Sequence, residues 1–590
     1  MRLRLGAATA AMAATALLSA CNPTLPAQQT VNSVVYASPG WDQKTRQEFY
    51  QRQQGTVLMP VAWFTALEEP EGSNLLSDRT YLSRFGFLVD DQPAGALPVG
   101  FATFDLAGVQ TLGLGCAACH TGQINYKGTG IRIDGGGGLQ NTTLFTATMA
   151  KSVIATAVEP EKFERFAKRV LGDKYGSETK AQLRAAFDMG AESAVSQATY
   201  EALHNVYPVE EGYGRLDALQ RIANTLLGND LAYQPNKKQG TAPVRLPHIW
   251  DAPFFDWVQY NGSVRQPMIR NAGETLGVNA KTNFINAAGM ATSGPALWAT
   301  SIPVWELHAT EENLRQLKAP VWPKALPAPD LVLAYKTGKP LFDELCAGCH
   351  APRPFARKGW EGVKFLQVPV IGVKEVGTDA TLLNNFNTRT YDATGLGIAE
   401  PIGAGEGLFV VTQAVKEFQY NNPVKPVPKD KQADFDGFGW PNEVRATCGY
   451  KSRPLDGVWA NPPFLHNGSV PSIYDLLSPV PARPTTFWVA NREYDPVNLG
   501  YVSSELEGAT KYNTGITGNS NQGHEFANAK GPGVIGRGLS HGERLAIIEY
   551  LKILAEDTNQ TKHKADIDAA DNRYPCWDPK TYWGPNPPKG

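Results

Sequence analysis

Cys116-Ala-Ala-Cys119-His120 and Cys346-Ala-Gly-Cys349-His350 decide the reading of this 590-residue chain. Each is a C-x-x-C-H pattern, the spacing of c-type haem attachment. Two thioethers from neighbouring turns grip one edge of the porphyrin, and the adjacent imidazole reaches the iron as proximal ligand. A zinc site needs two further ligands for each CxxC pair, and a thioredoxin-like redox pair needs a βαβ setting that the sequence does not offer. Neither alternative explains a histidine directly after both pairs. The expected cofactors are two covalently bound haem c groups, attached through Cys116, Cys119, Cys346 and Cys349, with His120 and His350 as iron ligands. Ca2+ between the domains is an additional candidate.

Around these motifs the chain divides in two. Its length exceeds one ordinary core, and Ala319-Pro-Val-Trp-Pro-Lys-Ala-Leu-Pro-Ala-Pro329 interrupts regular structure between the motifs. The expected organisation is a signal segment over 1–21, an N-terminal haem domain with an N-terminal extension over 22–318, a Pro-rich linker over 319–330 and a C-terminal haem domain over 331–590. Leu341-Phe342-Asp-Glu-Leu345 predicts a helix delivering the second motif; the first has no such clear lead-in. Trp250-Asp-Ala-Pro-Phe-Phe followed by Tyr260-Asn-Gly-Ser-Val264 has a counterpart in Trp459-Ala-Asn-Pro-Pro-Phe464 followed by His466-Asn-Gly-Ser-Val470. This repeat supports duplication. Ser540-His-Gly-Glu543 is a capping box opening a helix with Leu545, Ile548 and Leu551 on one face. With 57 Gly and 43 Pro, the expected fold is mainly α: two cytochrome c-like domains with long loops and little β.

The first residues, Met1-Arg-Leu-Arg4 and an Ala/Leu-rich run ending in Leu18-Ser19-Ala20-Cys21, read as an export signal with an acylated cysteine. Expected locations are the bacterial periplasm or outer membrane, with a lipid anchor at Cys21, or secretion. Asn22 points weakly to the outer membrane. Membrane contact is expected through that lipid alone. In an oxidising compartment Cys448 and Cys576 are free to form a disulfide. A net charge of −2, with 55 basic and 57 acidic residues spread along the chain, argues against a nucleic-acid partner.

Taken together, the residues resemble the dihaem cytochrome c peroxidase and MauG superfamily, and within it the rubber-oxygenase (RoxA/RoxB-like) branch. The resemblance rests on the haem pairs together with Trp63-Phe-Thr-Ala-Leu-Glu68, Arg84-Phe-Gly-Phe87, Leu112-Gly-Leu-Gly-Cys116, Ile131-Arg-Ile-Asp-Gly-Gly136 and Gly214-Arg-Leu-Asp-Ala-Leu219. It continues through Gly377-Thr-Asp379, Phe464-Leu-His-Asn-Gly-Ser-Val-Pro471 and Glu493-Tyr-Asp-Pro496. Bacterial cytochrome c peroxidases use a methionine on the C-terminal haem, yet all seven Met here lie at or before Met290.

Sixth-ligand candidates for the second haem are therefore His466, His524, His541, His563 and Tyr450. The resemblance favours His524, in the loop Gln522-Gly-His-Glu-Phe526, because rubber oxygenases place a second histidine on this haem. It implies a reactive first haem whose pocket includes the stretch from Trp257 to Val278. There Glu274 is the candidate acid for a bound peroxide, Leu276 an apolar wall, and the Trp257 and Tyr260 rings lie near or between the haems. The implied activity is a haem-dependent oxidoreductase, either a peroxidase or a dioxygenase acting on an apolar substrate. Its partners are a small oxidant, dioxygen or peroxide, and an apolar organic substrate or a redox protein. The rival expectation is a non-catalytic electron-transfer dihaem cytochrome, which needs a second strong ligand near His120, such as His204, His248 or His308.

Overall fold

The computed structural model describes residues 24–93, 95–284, 297–562 and 581–585. Helix outweighs strand, 40% to 15%. Strand is more plentiful than expected, but among the described residues it is divided into ten sheets of two or three strands. Many glycines and prolines limit strand length, so β structure here forms local ladders that brace turns.

The two attachment motifs are delivered differently. Strands Phe101–Leu106 and Val109–Leu114 form a hairpin that runs into the one-turn helix Cys116–Cys119, and a second hairpin, Thr121–Tyr126 with Thr129–Asp134, leaves it. Both hairpins close through two residues at positive φ, Ala107-Gly108 and Lys127-Gly128, the backbone of primed turns whose twist suits paired strands. The lead-in to the first motif is thus β rather than α. The second motif has the expected helical lead-in, Lys339–Leu345, followed by the single turn Ala347–His350.

The capping box at Ser540 and Glu543 forms as read: each side chain bonds the other residue's backbone N–H. It opens the helix His541–Ile553, which buries Ala546, Ile547, Ile548, Tyr550 and Leu551. Gly338 lies against that helix so closely that a Cβ there would stand 2.1 Å from the Ala546 carbonyl oxygen. The missing side chain is what allows the crossing.

One apolar cluster draws on both sides of the Pro-rich stretch, joining Ile124, Ile131 and Trp250 to Phe342, Trp459 and Ile547. Residues 319–330 form no helix or strand. They are packed nonetheless: Leu326 is buried, Val321 N–H donates to the Ala37 carbonyl at 3.0 Å, and Trp322 meets Trp459 edge to face at 5.0 Å. A second cluster surrounds the helix Pro267–Gly277. A third holds the long helices Thr142–Val158, Pro160–Leu171 and Ser177–Leu203 against the first hairpin. Among the described residues no helix is long and apolar enough to cross a membrane. Cys21, Met290, His563 and Cys576 lie outside the described residues.

The sequence repeat is also a repeat of backbone. Val258 bridges Val264 and Phe464 bridges Val470. The glycine of each turn has positive φ, +61° at Gly262 and +73° at Gly468, as does the residue three before it, Gln259 and Leu465. Asn261, Ser263, Asn467 and Ser469 are almost wholly buried.

Candidate haem-attachment sites

Both motifs present the same local chemistry. Cys116 Sγ lies 3.1 Å from Gln54 Oε1 and Cys119 Sγ 3.2 Å from Gln140 Nε2, and burial pushes the thiols of Cys116, Cys119 and Cys346 up to about 12. His120 Nδ1 donates to the Pro247 carbonyl at 2.9 Å, and His350 Nδ1 donates to the Arg453 carbonyl at 2.8 Å. A carbonyl partner fixes the Nδ1–H tautomer, leaving Nε2 with a free lone pair, the arrangement found behind metal-ligating histidines. Burial also lowers the pKa of both rings, favouring the neutral form that a metal requires. Each acceptor carbonyl lies just upstream of a repeat tryptophan, Pro247 before Trp250 and Arg453 before Trp459. The two acceptors stand at different offsets, three residues before Trp250 and six before Trp459, so each imidazole is backed by the chain leading into the repeat rather than by the repeat itself.

Beyond the two histidines the sites diverge. His350 faces His524 with ring centres 6.2 Å apart. Two imidazoles on opposite sides of one metal, each nitrogen about 2.0–2.1 Å from it, put their ring centres about 6 Å apart, so this spacing suits an iron between them. The His524 loop is held from several directions. Its N–H donates to the Val376 carbonyl at 2.7 Å, and Arg483 donates to the carbonyls of Asn521, Gly523 and His524 at 2.6, 2.9 and 2.9 Å. Gly523, at φ +73°, packs so tightly on Gly377 that a Cβ would lie 2.2 Å from its carbonyl carbon. Burial brings His524 down to about 3. Its Nδ1 has no hydrogen-bond partner in the protein.

His120 opens instead onto a cavity of about 1340 Å³ of space between atoms, part of it open to solvent. Its walls are largely apolar, with Leu216, Ile222, Val244, Ile249, Phe255 and Val258, but Arg245, Arg270, Lys451 and Arg453 also line it. Arg245 Nε, Arg270 Nη1, and Arg453 Nε and Nη2 are buried without partners. Apolar walls for a macrocycle, orphaned cationic donors for its carboxylates, two thiols and an oriented imidazole form a donor set that fits haem c. Glu274 and Tyr260 line the same cavity; Glu274 Oε1 accepts from Gln259 Nε2 at 2.9 Å, and Tyr260 OH donates to the Arg245 carbonyl at 3.2 Å.

The structure does not bring every predicted residue to this cavity. Leu276, on the same helix as Glu274, is fully buried in the second apolar cluster and lines none of the void. The i, i+2 offset turns the two side chains to different faces. Trp257 is also outside the wall, its ring centre 3.6 Å from the Arg445 guanidinium and 4.7 Å from that of Arg265.

The other histidines have partners of their own, and one of them also lines the cavity. His248 lines the cavity beside Pro247 and stacks on Trp250 at 4.0 Å. His466 stacks on Tyr450 at 3.9 Å, while Tyr450 OH donates to the Asp379 carbonyl at 2.6 Å. His541 Nδ1 pairs with Tyr474 OH, and the exposed His204 with the Tyr200 carbonyl. His308, Glu312 and Asp434 are the one group of three metal-ligating residues among the described residues, and Arg315 already pairs with both carboxylates. Among the described residues no such group of three includes either CxxC pair. Sequence reading missed Arg453, Arg483 and the cavity cations; the Gly377-Thr-Asp379 motif was the trace of the close Gly377–Gly523 approach. Cys448 is disulfide-bonded.

Comparison with known proteins places the chain. A protein of Sinorhizobium fredii (strain NBRC 101917 / NGR234), described as uncharacterized protein y4iJ, is 39% identical over 577 residues, covering 90% of this chain and 95% of its own. The chain belongs to the y4iJ family. A second protein of that strain, uncharacterized protein y4iM, is 24% identical over 260 residues, 44% of this chain and 49% of its own length. Within this y4iJ-family chain, residues 449–489 match the model described as RoxA-like, cytochrome c-like. That stretch contains Arg453, whose carbonyl backs His350, and the second Trp and Asn-Gly-Ser repeat. That stretch is therefore similar to a RoxA-like cytochrome c-like domain, a kind of domain that implies haem c.

Proposed function

We propose that this protein is an exported dihaem c-type cytochrome acting as an oxidoreductase, with the oxidant met at the His120 site and an electron held or relayed at the His350 site. The observation that carries this reading is the asymmetry between the sites: His350 faces a second imidazole, whereas His120 opens onto a cavity. Haem, when bound, supplies an iron that exchanges single electrons and, where a coordination position is open, reacts with dioxygen or peroxide.

The protein's own groups supply the rest. Arg245, Arg270 and Arg453 balance buried negative charge. Glu274, oriented by Gln259, is placed to hold or deliver a proton. The apolar walls exclude water and suit a hydrocarbon as readily as a macrocycle face. His524 closes the second site, which favours electron storage over ligand binding there.

The test is spectroscopic. Oxidised holoprotein is expected to show one high-spin and one low-spin haem, with peroxide or carbon monoxide binding at the first. Two low-spin haems that bind neither ligand would establish the electron-carrier reading instead. Oxygen uptake with polyisoprene, set against turnover with peroxide and a reduced donor, separates the two enzymatic activities.

A further inference from the structure

The two proximal imidazoles lean on adjoining pieces of backbone that meet at one residue. His120 Nδ1 donates to the Pro247 carbonyl at 2.9 Å. The next carbonyl along, that of His248, accepts from Arg453 Nη1 at 2.7 Å. Arg453's own carbonyl accepts from His350 Nδ1 at 2.8 Å. One peptide unit and one arginine therefore complete a continuous covalent and hydrogen-bonded path between the histidines of the two motifs.

Arg453 differs from the neighbouring buried cations in this respect. Arg270 is tied to Glu311, and Arg483 to the His524 loop. The Arg453 guanidinium lines the His120 cavity while its main chain backs His350. Burial brings its pKa down to about 10, which leaves it a cation at neutral pH. Ligand N–H bonds of this kind tune the basicity of the imidazole behind which they stand, and linked hydrogen bonds polarise one another in a low-dielectric interior.

We propose that Arg453 is the positioning residue that couples the two haem sites, its guanidinium anchoring the backbone behind His120 and its carbonyl holding His350. This deepens the dihaem reading above and rests on it. With haem bound, the His120 and His350 N–H bonds would respond to the charge beside each ring, and Arg453 would link the two responses.

The experiment is a spectroelectrochemical titration of full-length holoprotein, which reads how far reduction of one haem shifts the midpoint of the other. Arg453→Met is expected to cut that shift by at least half with both haems retained, and Arg453→Lys to restore most of it. Should Arg453→Met fail to accumulate, Arg453→Gln removes the charge with a polar side chain and carries the same expectation. A haem-loaded Met or Gln variant with the full shift would overturn the proposal, as would wild-type haems that titrate independently. A wild-type mass lacking two porphyrins overturns the haem reading itself, and the same preparation reports that separately.

Discussion

The His350 and His524 rings lie with their centres 6.2 Å apart and their planes inclined by 57°, although they are 174 positions apart in the chain. That separation is close to the roughly 6 Å between the centres of two imidazoles that share one metal.

His524→Ala removes one of the pair while leaving His350 and both thiols in place. The second haem is expected to lose its low-spin signature and to bind carbon monoxide. Electron paramagnetic resonance and the carbon monoxide difference spectrum check this, and an unchanged low-spin signal would assign the ligand elsewhere.

The attachment cysteines are tested by mass. Replacing Cys346 and Cys349 together with serine is expected to yield a chain carrying one porphyrin, attached at Cys116 and Cys119. Denaturing mass spectrometry reads the difference directly.

Glu274 lines the cavity without belonging to either motif. Glu274→Gln keeps the shape and the contact with Gln259 but cannot deliver a proton. A loss of about 100-fold in kcat is expected, the lower end of general acid catalysis, with haem content unchanged. Activity retained with peroxide would remove Glu274 from the reaction.

His466 gives a pH dependence. Burial against Tyr450 lowers its pKa to about 4, so the folded protein keeps it neutral where the unfolded chain would protonate it. Its contribution is present above pH about 6.5 and is lost as pH falls towards 4, by up to about 1.4 kcal/mol per pH unit. Denaturant midpoints at pH 7 and pH 5 should converge in His466→Phe relative to wild type.

Gly338 marks the closest approach of the closing helix. Gly338→Ala puts a methyl group onto the Ala546 carbonyl and is expected to destabilise by about 1–3 kcal/mol, the usual cost of overpacking. Thermal unfolding of the variant measures it.

Much of the site was legible because its chemistry is local. Cys-x-x-Cys-His is a unit within two turns of chain, so its thiols and imidazole share one neighbourhood without any tertiary information. The capping box at Ser540 and the lead-in helix before Cys346 are set by hydrogen bonds and periodicity of the same short range, and both formed. The repeat around Asn261 and Asn467 was legible too, since its turn requires positive φ at fixed offsets.

What the sequence determined, then, was the set of groups that neighbours in the chain must share: two Cys-x-x-Cys-His units, the capping box at Ser540 and the repeated Asn-Gly-Ser turn. The tertiary structure alone decided which side of the helix Pro267–Gly277 faces the cavity, taking Glu274 in and turning Leu276 away. It also set the β-hairpins around the first motif, brought His524 opposite His350, and ran Arg453 between the two imidazoles. Those outcomes depend on packing between segments hundreds of residues apart, and no local propensity encodes which buried face or which distant carbonyl a side chain will meet.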